Sequence, residues 1–205
     1  VYYYMDKYVY IKENVLSKEI CNKIIKLFEE DTTNQYAGTY TGGIDKDIKN
    51  TIDYNIPFCD DNKHWGKIGP LLKDETAHHL QEYLNIIEKH IQTADNTFQE
   101  YTDKIYELLD IALLHKYEKG EGVYNTHTDD TIREGLERRM VFLFYLNDVE
   151  EGGETIVLKT HKIKPEAGKL LVFPASWAFP HKGCVPLSND KYVVSIWAHV
   201  RIPNI

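Results

Sequence analysis

The spacing of apolar positions changes along the chain, and with it the kind of element expected. Tyr8-Val9-Tyr10-Ile11 reads as a short strand, and the stripe Ile20, Ile24, Leu27 and Phe28 predicts a helix with Ser17 as its N-cap, running to about Glu30. Residues 31–50 are polar, contain Gly38, Gly42 and Gly43 and show little periodicity, so a mobile connection able to serve as a lid is expected there. A second stripe, Leu80, Tyr83, Leu84, Ile87 and Ile91, predicts a helix from about Leu71 to Ile91. From Asp110 onward the pattern becomes one of short β-prone runs: Ile111 to Tyr117, Val123 to Thr128, Met140 to Leu146, Thr155 to Leu158, Leu170 to Phe173 and Tyr192 to Val200. Gly120-Glu121-Gly122, Glu151-Gly152-Gly153, Ala167-Gly168 and Ser188-Asn189-Asp190 supply the turns between them. The expected architecture is α+β, with a jelly-roll-like core in residues 110–205 and the helices of residues 1–109 packed on one face as support and lid.

Composition narrows the class without changing that picture. A chain of 205 residues suits one domain, residues 1–205, with a core that needs no staples. No stretch approaches the roughly 18 apolar residues of a membrane span, so no membrane partner is expected. The net charge of −8 and the lack of a basic stripe argue against a nucleic-acid partner. Three cysteines, Cys21, Cys59 and Cys184, fit neither a disulfide framework nor a zinc ribbon. The sequence from Val1 shows no secretory-signal pattern, and a cytoplasmic location is the expectation. The sequence says nothing about oligomeric state.

The candidate chemistry lies in the β half. His127 and Asp129 stand two residues apart, so in an extended strand an imidazole and a carboxylate point to the same face. With a second imidazole from His181 they form a two-histidine, one-carboxylate set. Such a set leaves three octahedral positions open and suits a non-haem Fe(II) that takes a chelating co-substrate and O2 together. In the last strand Lys191, Val193, Ser195, Trp197 and His199 share parity. If that face looks inward, a lysine, an indole and an imidazole line one cavity, and the buried lysine requires an anion such as a dicarboxylate. Plainer readings compete: a His-x-Asp pair arises often by chance among nine histidines, an exposed Lys191 is a solvated charge, and Trp197 is ordinary core packing. His78, His79, His90, His115 and His161 read as ordinary helix, strand or surface residues.

The stretch from Arg138 to Thr155, with Phe144-Tyr145-Leu146-Asn147-Asp148 at its centre and Glu151-Gly152-Gly153-Glu154-Thr155 at its end, resembles the central signature of the prolyl 4-hydroxylase-like 2-oxoglutarate- and Fe(II)-dependent dioxygenases. The ten-residue step from His181 to Lys191, with Gly183-Cys184 inside it, and the entry from Tyr10 to Cys21 are similar to the same family. The resemblance implies a double-stranded β-helix core in which His127, Asp129 and His181 hold Fe(II) and Lys191 pairs with the distal carboxylate of 2-oxoglutarate. It gives Tyr117 and Thr155 as hydroxyls for that carboxylate. Tyr124, Arg138, Trp197 and His199 fall at positions that contact the peptide or enclose the reacting carbon. The implied reaction is hydroxylation of a peptidyl proline coupled to oxidative decarboxylation of 2-oxoglutarate to succinate and CO2, with O2 consumed and ascorbate as reductant.

Thr32 to Trp65 do not reproduce the family's peptide-clasping segment, which leaves a free amino acid or small metabolite as an alternative substrate. A non-catalytic jelly-roll binding module is the alternative from another class. The nucleic-acid demethylases of the same fold differ, with arginine at the positions of Lys191 and Trp197.

Overall fold

The computed structural model describes residues 7–59, 61–90, 106–108 and 111–202. At the start of helix α1 (Lys18–Glu30) the Ser17 hydroxyl accepts a hydrogen bond from the Ile20 N–H at 3.2 Å, and Cys21, Ile24 and Phe28 are buried along one stripe. Helix α2 (Ile68–His90) begins three residues ahead of the expected Leu71, with Pro70 in its first turn, where a missing N–H leaves no bond unmade. Leu72, Leu80, Tyr83, Leu84 and Ile87 form its buried stripe, while Ile91 lies outside the described residues. No helix among the described residues is long and apolar enough to cross a membrane.

The described strands are β1 (Tyr10–Lys12), β2 (Tyr36–Ala37), β3 (Lys49–Asn50), β4 (Ile52–Pro57), β5 (Tyr106–Leu108), β6 (Ile111–Tyr117), β7 (Val123–His127), β8 (Ile132–Arg133), β9 (Leu136–Tyr145), β10 (Thr155–Val157), β11 (His161–Ile163), β12 (Leu170–Pro174), β13 (His181–Gly183) and β14 (Lys191–Arg201). They pair into a nine-stranded sheet, ordered β1-β12-β9-β14-β6-β4-β2 with β5 on β14 and β8 on β9, and a five-stranded sheet, ordered β11-β10-β13-β7-β3. Strict alternation divides the larger sheet into two apolar faces. Phe142, Phe144, Val172, Val194 and Ile196 join Ile24, Phe28, Leu72 and Tyr83 of the helices in one cluster. Val141, Leu143, Leu171, Phe173 and Val193 join Val157, Ile163 and Phe179 in the other. The result is a mostly β, jelly-roll-type core with two helices.

Two expectations need correction. Residues 31–50 are not simply a polar connection, because β2 and β3 lie within them and β4 follows directly. Ile52, Tyr54 and Ile56 alternate with Thr51, Asp53 and Asn55; Tyr54 and Ile56 are buried in the helix-side cluster, and Asp53 is buried on the opposite face. Strand β9 begins four residues ahead of the expected Met140, since Leu136 to Arg139 continue the pairing with β14 despite their charge.

The junction before β12 depends on Gly168, whose carbonyl accepts hydrogen bonds from Val15 N–H at 2.8 Å and Leu16 N–H at 3.3 Å. Its φ of +84° is in the left-handed region, and a Cβ there would collide with the Leu16 carbonyl oxygen. Gly168→Ala is expected to lower stability by roughly 2 kcal/mol or more in urea unfolding. A loss below about 0.5 kcal/mol, the range of neutral surface changes, would show that this junction relaxes freely.

Candidate active site

Antiparallel pairing of β7 with β13 sets His127 directly opposite His181 in the smaller sheet, and Asp129 follows just past the end of β7. The two rings lie 4.2 Å apart by centroid and the Asp129 carboxylate faces both, with Oδ1 at 3.6 Å from His127 Nε2 and Oδ2 at 3.8 Å from His181 Nε2. One ligand atom from each of the three lies within 4.8 Å of the others. The backbone fixes both tautomers: Nδ1 of His127 lies 2.8 Å from the Asn125 carbonyl and Nδ1 of His181 lies 3.1 Å from the Phe179 carbonyl. A carbonyl can only accept, so Nδ1 carries the proton and each Nε2 offers its lone pair to the centre. Burial, then the neighbouring His181, brings the His127 pKa down to about 4. Burial works against the Asp129 carboxylate, but the two imidazoles more than offset it and hold its pKa below the usual range. Two bare nitrogens and an ionised carboxylate are a donor set suited to a divalent transition metal with positions left open.

At the other end of the same space Lys191 sits opposite Tyr117 across β14 and β6. It is 1% exposed, and its Nζ lies 4.6 Å from the Tyr117 ring centroid and 5.7 Å from that of Tyr145. It makes no hydrogen bond or ion pair with any described residue, and burial lowers its pKa to about 7. The Tyr145 hydroxyl is buried without a hydrogen-bond partner, and Thr155 lies beside it. Gly183 keeps this end open, since a Cβ there would come within 2.9 Å of the Tyr117 ring. A buried cation with an unmatched tyrosine hydroxyl nearby is a receptor for a carboxylate. One cavity of about 490 Å³ joins this receptor to the metal-ligand set.

The other sequence-derived candidates gather around the ligands, with one exception. The Trp197 indole N–H donates to Asp129 Oδ2 at 2.9 Å, and the Arg138 guanidinium lies 4.2 Å over the Trp197 ring. Tyr124 stacks on the His127 ring at 3.5 Å with an interplanar angle of 13°. His199 is buried but is not among the residues lining the cavity. The register between β14 and β9 shifts here, Ala198 pairing with Met140 and His199 with Arg138, so the extra residue is Arg139 on β9.

A further polar group in the wall was not anticipated. Asp53 accepts from Lys49 Nζ at 2.7 Å and from the Thr51 hydroxyl at 2.8 Å, and His115 Nδ1 lies 2.8 Å from its Oδ1. His115 Nε2 in turn meets the Ser195 hydroxyl at 3.0 Å, so His115 is part of the cavity wall rather than an ordinary strand residue. Lys49 Nζ also donates to the Thr39 carbonyl at 3.2 Å and lies 5.0 Å from the Tyr124 ring centroid, which ties residues 39–53 to the ligand-bearing strand. The period-2 pattern from Thr51 to Ile56 was the available signal. Tyr145 was likewise legible, because it shares parity with Val141 and Leu143.

Burial works against the Asp53 carboxylate, but the bond from His115 and the Lys49 ammonium outweigh it and bring the pKa down to about 2. A carboxyl lowered in the folded state contributes stability that is present above its unfolded value, near 3.9, and is lost as pH falls towards 2. Asp53→Asn is therefore expected to flatten the acid limb of the stability profile between pH 5 and 2, removing about 2 kcal/mol of pH dependence. An unchanged limb in urea titrations would place the charge linkage elsewhere.

Comparison with known proteins agrees with this geometry. Residues 112–199 match the model of the 2OG-Fe(II) oxygenase superfamily. No curated protein matches the sequence. Among solved structures, the viral collagen prolyl hydroxylase of Paramecium Bursaria Chlorella virus-1, in its 2OG complex, is 19% identical with a TM-score of 0.64, over 96% of this chain and 99% of that one. A Trichoplax adhaerens prolyl hydroxylase, in complex with a hypoxia inducible factor oxygen degradation domain peptide fragment, is 16% identical with a TM-score of 0.67, over 94% and 83%. A Pseudomonas putida prolyl-4-hydroxylase is 16% identical with a TM-score of 0.65, over 95% and 93%. These likenesses establish the fold, and the segment that matches the 2OG-Fe(II) oxygenase superfamily model contains His127, Asp129, His181 and Lys191 together.

Proposed function

We propose that this dioxygenase hydroxylates proline within a peptide, in the manner of the prolyl 4-hydroxylases, with Fe(II) held by His127, Asp129 and His181. The observation that carries the reading is the buried, unpaired Lys191 ammonium at the inner end of the cavity that holds the ligand set. A dicarboxylate entering there meets a cation, while its other end is free to reach the ligands. Fe(II) with 2-oxoglutarate and O2 would supply the oxidising power, through decarboxylation of 2-oxoglutarate to succinate and CO2, with ascorbate as reductant.

The remaining work belongs to side chains. Lys191, with the hydroxyls of Tyr117, Tyr145 and Thr155 around it, neutralises and orients the distal carboxylate. The Asn125 and Phe179 carbonyls keep both imidazoles in the ligating tautomer, and the Trp197 N–H fixes the rotation of the Asp129 carboxylate. Leu113, Leu143 and Val193 line the stretch between anchor and ligands and limit the water available for side reactions. Tyr124, Arg138 and Trp197 form a stacked aromatic and cationic border at the ligand end, where a peptide would lie. The prolyl hydroxylases of the same fold, one of them bound to a peptide, support that choice of substrate.

The test is succinate release from 2-oxoglutarate under air with Fe(II) and ascorbate, comparing proline-rich peptides, free L-proline and no substrate. Stimulation by a peptide is the expected result; stimulation by free proline alone would move the enzyme to small-metabolite chemistry. Asp129→Ala should abolish turnover and Fe(II) binding, and retained turnover would refute the ligand set. Lys191→Ala should raise the 2-oxoglutarate KM by roughly 30-fold or more, as expected for truncating one partner of a buried charge pair, with little change in iron affinity. An unchanged KM would place the anchor elsewhere.

A further inference from the structure

Two groups among the described residues bring three metal-ligating atoms within 4.8 Å of one another: the cavity set, and His78, His79 and Glu82 on α2. None of the second group lines the cavity. On a helix Glu82 is four residues from His78 and three from His79, so all three side chains converge on one surface spot. His78 Nε2 lies 3.6 Å from Glu82 Oε1, and His79 Nδ1 lies 3.1 Å from Glu82 Oε2, a hydrogen bond whose proton a metal ion would displace on binding. The cavity set shows similar separations, 3.6 and 3.8 Å. Ligand atoms about 2.0–2.1 Å from a tetrahedral ion stand roughly 3.3–3.4 Å apart, so small side-chain rotations suffice for closure.

The surroundings favour a cation. The other nitrogen of His79, Nε2, lies 3.8 Å from Glu75 Oε2, beyond hydrogen-bond range but near enough for a second carboxylate charge to favour a cation at the ring. The Tyr10 hydroxyl of β1 donates to Glu82 Oε2 at 2.7 Å and lies 3.4 Å from His79 Nδ1. That bond is the main cause of the low Glu82 pKa, about 2, so the carboxylate is ionised at neutral pH. His79 is buried against the helix's core side, whereas His78 is exposed, which leaves an approach from solvent. Lys12 Nζ, 3.6 Å from Glu82 Oε2, is the competing cation in the absence of metal.

We propose that His78, His79 and Glu82 form a second divalent-metal site, with two imidazoles and one carboxylate, that ties α2 to β1 through Tyr10. Two nitrogen donors favour Zn²⁺ over Mg²⁺ or Ca²⁺, which prefer oxygen. The site is structural: it sits on the helix side of the larger sheet and shares no residue with the cavity.

The probe is Co²⁺ or Zn²⁺ titrated into the full chain carrying Asp129→Ala and His181→Ala, which removes the cavity set. One remaining equivalent, with a Co²⁺ visible band and a Zn²⁺-dependent rise in Tm, is expected. Adding His78→Ala, an exposed change that circular dichroism can verify as folded, should weaken that equivalent by roughly 100-fold, and Glu82→Gln should do the same. Absence of the second equivalent, or its persistence in both variants, would overturn the assignment. Neither result depends on the dioxygenase substrate.

Discussion

A lysine ammonium enclosed by a β core, with aromatic rings beside it and no carboxylate to meet it, is the constraint around which the interior of this protein is arranged. Burial disfavours its charged form, and its lowered pKa records that cost. The cost would fall if an anion entered, so the free protein carries an unmet electrostatic demand at this point. Everything that fixes Lys191 follows from backbone pairing: Tyr117 opposite it on β6 and the β9 ladder on its other side. His127 and His181 belong to the other sheet, so their distance from Lys191 is set by how the two sheets face each other.

Another buried lysine shows the opposite arrangement. Lys49 is matched by Asp53 at 2.7 Å, and that carboxylate also takes Thr51 and His115. This group is already satisfied, so it has no comparable demand for a ligand. Its effect is mechanical: it joins β3, β4, β6 and β14 by polar contacts in a wall otherwise held by apolar packing. The buried charge that awaits a ligand and the buried charge that braces the wall are distinguished by their partners, not by their exposure.

Much of the site was legible because strands write their faces with a period of two. His127 and Asp129, and the series Lys191, Val193, Ser195, Trp197, need only that rule, and α1 was marked by its cap and stripe. What escaped reading was set by distant partners. Strands β11 and β13 are three residues each, too short for a period, and they exist because β10 and β7 pair with them. His199 shares the parity of Lys191 to Trp197, but parity alone does not say how far along a strand the cavity extends. His115 looked ordinary because its partner Asp53 is sixty-two positions away, in a stretch whose polarity masked its alternation.

Strand β14 is the longest described, it lies between β9 and β6, and it carries the lysine anchor, Ser195 and the indole that holds Asp129. An interior strand of this kind loses its amide protection only in the largest opening events of a protein, whereas a short outer strand such as β2 can exchange through small local ones. The anchor and the carboxylate brace therefore share the lifetime of the whole fold. Thr39, Tyr40 and Thr41, which line the cavity just beyond β2, belong to that outer edge, so the amides on this side of the cavity are expected to exchange on a shorter clock than those of β14.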